Sequence, residues 1–462
     1  MPTDTLMPTA GPSLTPSNTP TFTPIPTETT IPTETPTTRP QYAPTSVITT
    51  TPQAGTGPFA PATAIPSPVP TFDVPRDVTN VLLLGSDTTL DVGDSRTDTM
   101  IIVSISHERQ TASMISIPRD LFVYIPEWTM SRVNTAMARG TAVGFDGGGV
   151  GLLKQTILYN FGIPIHYYAR IDFAGFQEIV DAMGGIDITV SCQLRDWRLK
   201  SPDLDAQNED NWEQFTLEPG VHHMDGDLAL WYARSRLTTN DFDRGRRQQH
   251  LLRAMLNQGV DIGLVPQVPA LWNAFQNTIE TDMDIGRILQ LAALAPGIRK
   301  NGVQNLYLTG KTQSWTVPSS GANVQLPIWE GNGMMKDTFT RLFLPPALNR
   351  ATQAPIYVEV INASGKPDMS ALAADNLAWH GFVPIITSNR DPQNATTLTY
   401  FGPNLKGAYG WLISWIFAMR ESDITINDGD DSSPYHYQVV LGEDYNPCRP
   451  QMSAPQIFLS NE

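Results

Sequence analysis

The sequence predicts an α/β protein. From about Asp77 onward, short apolar runs that end in glycine or proline alternate with stretches of helical periodicity. The alternation restarts near Ala351 after a stretch of weaker pattern, which predicts a second, smaller α/β unit. The N-terminus is different in kind: 37 of the first 70 residues are Pro or Thr. Such a segment cannot bury enough apolar surface to offset its ordering entropy. It reads as a disordered, extended stalk of the sort found outside the cytoplasm. The predicted organisation is a stalk over 1–75, a first domain over 76–350, a second over 351–446 and a tail over 447–462.

In the first domain, Val81-Leu-Leu-Leu84 is a buried strand ending at Gly85. Met100–Ile105 and Ala112–Ile117 are two more strands, joined by a turn at Glu108–Gln110, and Pro118 stops the second. Gly151–Phe161 is helical after the Gly147-Gly-Gly149 loop, and His166–Ile171 is a strand. Asp172 caps a helix through Met183, with Phe173, Phe176, Ile179, Val180 and Met183 at helical spacing. Gly184-Gly185 stops it before a strand over Ile186–Val190. A long helix begins around Arg244, and Ile285–Leu294 is amphipathic. In the second domain, strand Ile356–Ile361, turn Asn362–Gly365, helix Met369–His380 and strand Phe382–Thr387 form a β-α-β unit, with a further strand at Tyr437–Leu441. Trp411–Met419 is a buried helix, too short for the roughly 18 apolar residues of a membrane span.

Composition excludes some functions. The chain has 462 residues with 30 Lys+Arg against 46 Asp+Glu, a net charge of −16. Non-specific nucleic-acid binding needs a cationic face, so nucleic acid is not an expected partner. Two cysteines, Cys192 and Cys448, rule out a disulfide scaffold or a Cys-rich zinc site. They fit either one bridge in an oxidising compartment or two independent thiols. His222-His223 lacks partners at zinc-site spacing and is expected in a turn near Gly220. The acidic loop Asp428-Gly-Asp-Asp431 lacks the glutamate spacing of a calcium loop and is expected to be solvated. No nucleophile-elbow Gly-x-Ser-x-Gly occurs, and the Gly147–Gly151 run lacks P-loop spacing.

The chemistry concentrates in arginines. Arg119 follows a strand in Ile117-Pro-Arg-Asp120, and Arg234 and Arg236 stand two apart, on one face if extended. Arg244, Arg247 and Gln248 share one face of a helix. Planar, permanently charged forks gathered in an acidic protein suit a polyanion of phosphate geometry. A set of structural ion pairs with surplus carboxylates is the competing explanation. Asp87 after the first strand and Asp98 leading into the second are hard-oxygen donors, suited to a magnesium ion that bridges substrate phosphates.

These pieces, in order, resemble the LytR–CpsA–Psr family of bacterial cell-wall enzymes. The resemblance is carried by Gly85-Ser-Asp87, Arg96-Thr-Asp-Thr-Met100, Ser116-Ile-Pro-Arg-Asp120, Asn134-Thr-Ala136, Val180-Asp-Ala-Met-Gly-Gly-Ile186, Leu217-Glu-Pro-Gly220, Met224-Asp-Gly-Asp-Leu-Ala229, Tyr232-Ala-Arg-Ser-Arg236 and Arg247-Gln-Gln249. It runs from about Val78 to Asn257. Residues 355–445 resemble the smaller C-terminal domain that often follows. The resemblance implies a three-layer α/β/α catalytic domain with a central mixed sheet. It implies transfer of a phosphate-linked glycopolymer from a polyprenyl-pyrophosphate carrier to peptidoglycan. Asp87 and Asp98 would hold Mg²⁺. Arg96, Arg119, Arg234, Arg236, Arg244, Arg247 and Gln248 would hold the pyrophosphate, and Asp241 would orient arginines. A two-residue slip would make Asp243 and Arg246 the matched pair instead of Asp241 and Arg244; spacing to Arg247-Gln248 favours the latter. Asp98 or Asp241 would take the acceptor proton, with Arg119 stabilising developing charge. An apolar tunnel for the lipid would involve Val81–Leu84 and Phe173–Met183, residues that otherwise simply fill the core. A polyprenyl-pyrophosphate phosphohydrolase and a non-enzymatic wall-binding or regulatory protein are the competing functions. Family members have a membrane helix before this domain; here the expectation is a missing N-terminal anchor and an extracytoplasmic, membrane-associated full-length protein.

Overall fold

The computed structural model describes residues 65–86, 97–201, 203–276, 278–318, 320–329, 335–344, 355–401, 409–419, 423–427 and 433–448. Strands β1 (Val78–Ser86), β2 (Thr97–Ser106) and β3 (Thr111–Ser116) lead to the hairpin β4 (Phe122–Tyr124) and β5 (Met130–Arg132). Helices α1 (Thr135–Val143) and α2 (Gly148–Phe161) follow, then β6 (Tyr167–Asp172), α3 (Phe173–Ala182) and β7 (Ile186–Val190). The hairpin β8 (Leu194–Leu199) and β9 (Trp212–Leu217) precedes β10 (Gly220–Met224), α4 (Gly226–Arg234) and α5 (Asp241–Asp261). Next come α6 (Val268–Phe275), β11 (Ile279–Thr281), α7 (Ile285–Ala292), α8 (Ala295–Asn301), β12 (Val303–Leu306), the hairpin β13 (Thr312–Thr316) and β14 (Asn323–Pro327), and α9 (Met335–Arg341). The C-terminal unit contains β15 (Tyr357–Asn362), α10 (Met369–Trp379), β16 (Val383–Asn389), β17 (Thr397–Phe401), α11 (Gly410–Phe417), β18 (Ile424–Asn427) and β19 (Tyr437–Leu441).

The central sheet has the order β11-β6-β1-β2-β3-β12 and is mixed. β1 pairs antiparallel with β2 and parallel with β6, and β12 lies parallel to β3. Side chains alternate across a strand, so Leu82, Leu84, Met100, Ile102 and Ile115 share one face, where they pack with Met137 of α1 and Leu153, Ile157 and Phe161 of α2. Ser116 points to the other face and meets α5. The result is three layers, α/β/α. Leu82 and Leu84 are almost fully buried and belong to the core.

Residues 65–75 depart from the expected stalk. Val69 N donates to Tyr159 O and Phe72 N to Gly162 O, both at 2.9 Å, while Phe72 and Val74 pack against the core. Apolar side chains and paired amides tie this stretch to α2. Gly162 caps α2 at φ 68°, and a Cβ there would lie 2.3 Å from Pro70 O, so both the turn and the close approach call for glycine. Residues 1–64 lie outside the described residues. The helix expected from Gly151 starts at Gly148, and the one expected from Arg244 starts at Asp241.

The C-terminal sheet has the order β16-β15-β19-β17-β18, and α10 and α11 cover one face of it through Leu372, Leu377, Leu412 and Ile413. Its α10 docks on α5 and β7/β10 of the first domain. Cys192, after β7, is disulfide-bonded to Cys448 across a separation of 256 residues, which decides between the two cysteine readings. Among the described residues no helix is long and apolar enough to cross a membrane.

The docked surface is rich in titratable groups. Burial, with the Arg246 and Arg253 charges, holds the His380 imidazole down at about 3, and burial also lowers His250 against the pull of Asp375. Burial works against the Asp375 anion, yet Arg253 and His250 outweigh it and keep this carboxyl below the usual range. With its pKa lowered in the folded state, each histidine binds protons more readily when unfolded. Their contribution is therefore intact above pH 6.5 and lost as pH falls below it, at roughly 1 kcal/mol per unit for His380, whose folded value lies far below this window. Asp375 adds a further loss below its unfolded pKa. We expect thermal unfolding to shift downward between pH 7.5 and 5, and the shift to shrink in His380→Gln. An unfolding temperature that does not move across this window would contradict the assignment.

Candidate active site

Three ends of elements converge on one pocket. The start of β2 supplies Asp98, the segment after β3 supplies Arg119, and the first turns of α5 supply Asp241, Arg244 and Gln248. β1 ends beside them with a register shift between Gly85 and Ser86.

Each side chain is placed by its neighbours. Asn240 caps α5 by accepting from Phe242 N and Asp243 N, and Asp243 returns a carboxylate to Asn240 N. This capping box fixes the first turn and leaves Asp241 free to face the arginines. Gly245 lets α5 approach β3: a Cβ there would meet Ser116 Cβ at 3.0 Å. Gln249 then locks the contact by donating to Ser116 Oγ at 2.9 Å and Leu306 O at 3.2 Å. Four residues apart on one face, Arg244 Nη2 donates to Asp98 O at 3.1 Å and Gln248 Nε2 to Thr99 Oγ1 at 2.8 Å.

Arg119 is the hub. Its Nη1 reaches both Asp98 oxygens at 2.9 and 3.0 Å, and its Nε lies 3.5 Å from Asp120 and 3.6 Å from Asp241. Burial opposes its charge, but the Asp98 hydrogen bond and the three carboxylates outweigh that and raise its pKa further. Asp241 also meets Arg236 at 3.2 Å and Arg244 at 3.7 Å. Burial lowers the Arg244 pKa, with Asp241 working against it and Arg236 with it. Asp120 bridges on to Arg132 at 3.2 Å. Four guanidiniums (Arg119, Arg132, Arg236, Arg244) against three carboxylates (Asp98, Asp120, Asp241) leave one net positive charge.

The predicted residues divide. Asp98, Arg119, Asp241, Arg244 and Gln248 line the pocket, and Arg236 reaches it through Asp241. Arg234 ends α4, so it is helical where an extended pair with Arg236 was the alternative, and its guanidinium sits 4.2 Å from the Phe173 ring. Arg247 is placed differently from the expected pyrophosphate contact. It is 8% exposed, and Nε donates to Tyr232 O at 2.9 Å, Nη1 to Thr239 Oγ1 at 3.2 Å, and Nη2 to Ser235 O. A side chain one step round the helix from Gln248 turns inward and holds the 232–239 segment. Asp243 is engaged in the cap, and Arg246 faces the Trp379 ring at 5.7 Å, so the geometry brings Asp241 and Arg244, rather than the slipped pair, to the pocket. Asp87 and Arg96 lie outside the described residues, as does the loop Asp428–Asp431. His222 and His223 sit in β10 rather than in a turn, the latter beside Asp187 at 2.8 Å.

Sequence reasoning missed Tyr307, Leu308 and Thr309, which line the pocket from the segment after β12. Val303-Gln-Asn-Leu306 is too short and polar to announce an edge strand. Asp98 offers a hard carboxylate at the pocket, and magnesium needs only one or two such groups beside substrate phosphates. Among the described residues, no group of three or more His, Cys, Asp or Glu gathers as a metal site.

The sequence model of the LytR_cpsA_psr family matches residues 60–328. A protein of Oceanobacillus iheyensis named polyisoprenyl-teichoic acid–peptidoglycan teichoic acid transferase TagU is 31% identical over 228 residues, 49% of this chain and 65% of that protein. The match therefore spans less than two thirds of that relative. TagT of Bacillus subtilis, named as the same kind of transferase, is 27% identical over 243 residues, 52% of this chain and 70% of that protein. A crystal structure of B. subtilis TagV aligns at 21% identity with a TM-score of 0.45, over 58% of this chain and 95% of that one.

Proposed function

We propose, since the chain belongs to the LytR_cpsA_psr family, that its pocket binds a polyprenyl-pyrophosphate-linked glycopolymer and passes the phosphate-linked polymer to peptidoglycan. The observation that carries this reading is the convergence of Arg119, Arg244 and Gln248 with Asp98 and Asp241 on one pocket. Relatives named as teichoic acid transferases support the substrate class.

In this reaction an acceptor sugar hydroxyl attacks the phosphorus that bears the glycopolymer. The new oxygen–phosphorus bond forms as the bond to the bridging oxygen breaks, polyprenyl phosphate leaves, and the hydroxyl proton passes to the carboxylate of Asp98 or Asp241, both of which line the pocket. Phosphoryl transfer of this kind depends on positioning and charge neutralisation rather than on a protein nucleophile. Arg119, Arg236 and Arg244, held by Asp98 and Asp241, are already oriented before the anion arrives, which lowers the entropy cost of binding. The carboxylates of Asp98 and Asp241 act as guides for these forks. Mg²⁺ belongs to this proposal: Asp98, with Asp87, would hold it, and it would neutralise phosphate charge. The site's partners would be the lipid-linked glycopolymer and peptidoglycan, and its place of work the outer side of the membrane.

Calorimetric titration with a short-chain polyprenyl pyrophosphate, with and without Mg²⁺, tests the reading. Saturable binding strengthened by Mg²⁺ is expected. Folded protein that takes up no diphosphate would leave the arginines as structural ion pairs and favour a wall-binding protein.

A further inference from the structure

Helix α5 has two opposed working faces. Arg244 and Gln248 turn to the pocket, whereas Arg246, His250 and Arg253 turn to the C-terminal unit. What they meet is the end of α10. The Trp379 ring lies 4.2 Å from the Arg253 guanidinium and 5.7 Å from that of Arg246, and takes the His250 ring edge-on at 5.6 Å. Asp375, one turn earlier, closes the contact with Arg253 and with His250 Nε2 at 3.3 Å. The same indole lies parallel to the Tyr307 ring, with an interplanar angle of 7° and centroids 6.4 Å apart.

Tyr307 is a wall of the pocket. One buried side chain of the C-terminal unit therefore touches both parts of the first domain that shape the site: the helix carrying Arg244 and Gln248, and the segment 307–309. Cation–π and ring contacts gain strength when desolvated, and Trp379 is 9% exposed. The Cys192–Cys448 bridge holds the same unit to the loop after β7.

We propose that Trp379 is a positioning residue for the pocket, through which the docked C-terminal unit fixes α5 and Tyr307 and so sets the site's affinity for a diphosphate. The affinity part rests on the function proposed above; the positioning part does not. The test uses the full chain with Trp379→Ala and Trp379→Phe, the second keeping a ring against Tyr307 and Arg253. Hydrogen exchange over residues 241–253 and 303–309 is measured alongside binding of a short-chain polyprenyl pyrophosphate. Trp379→Ala is expected to speed exchange in both segments and weaken binding by roughly tenfold or more, the scale of a small misplacement of binding groups, with Trp379→Phe restoring much of each. If wild-type protein binds no diphosphate but Trp379→Ala still loosens both segments, the functional reading fails and the positioning role stands. Exchange that rises only within 357–441, or a diphosphate affinity equal to wild type despite loosened segments, would overturn the proposal.

Discussion

Arg119→Ala is expected to lower the rate of glycopolymer transfer by about two orders of magnitude, the scale seen when one donor to a developing anion is removed. The reason is its position at the centre of the charge network. Arg119 contacts Asp98, Asp120 and Asp241, so its loss removes a guanidinium from the pocket and leaves these three carboxylates, two of them in the pocket wall, without their shared cation. Diphosphate binding should weaken in parallel. Arg119→Lys restores the charge but not the planar fork, so its rate should fall between alanine and wild type. Initial-rate measurements with lipid-linked donor and peptidoglycan acceptor check this. Wild-type rates in Arg119→Ala would mean that the residue is structural only.

Arg247→Ala should act on stability instead. All three ends of its buried guanidinium donate within the 232–239 segment, and burial lowers its pKa, with Tyr232 and Asp243 working against that. Removing the side chain strands the Tyr232 and Ser235 carbonyls in the interior and leaves the half-buried Thr239 hydroxyl without this donor. Breaking a buried charged network costs about 3 kcal/mol, which corresponds to roughly 5–10 °C in unfolding temperature for a domain of this size. The segment it ties down carries Arg236, so diphosphate affinity should fall less than in Arg119→Ala. Thermal denaturation and titration of the two variants side by side check the contrast. An unchanged unfolding temperature with abolished binding would place Arg247 in the pocket after all.

This contrast marks what is legible in the sequence. Strands β1 to β3 could be read because their apolar side chains have only one way to face a core, and glycine, proline and a polar turn punctuate them. The gathering of arginines and aspartates was visible because acidic chains seldom concentrate guanidiniums. Which way each guanidinium turns was not visible. Arg247 and Gln248 are adjacent, and only the packing of α5 on β3 through Gly245 decides that one enters the interior and the other the pocket. The start of α5 was hidden because Asn240 and Asp243 stabilise it by hydrogen bonds among polar residues, without any apolar period. β12 and the hairpin of β8 and β9 carry no alternation, being edge or surface strands, so Tyr307 had no signal. Asp375 on α10 reads as a solvated helix residue until tertiary contact brings it to Arg253 and His250.

The most direct test of the central claim follows a single labelled phosphate. Donor carrying the label on the phosphorus next to the glycopolymer is incubated with the protein, Mg²⁺ and peptidoglycan. Label that becomes bound to peptidoglycan, in step with release of unlabelled polyprenyl phosphate and only when acceptor is present, is the predicted result. Label released as free phospho-glycopolymer at the same rate without acceptor would contradict transfer and identify the site as that of a phosphohydrolase.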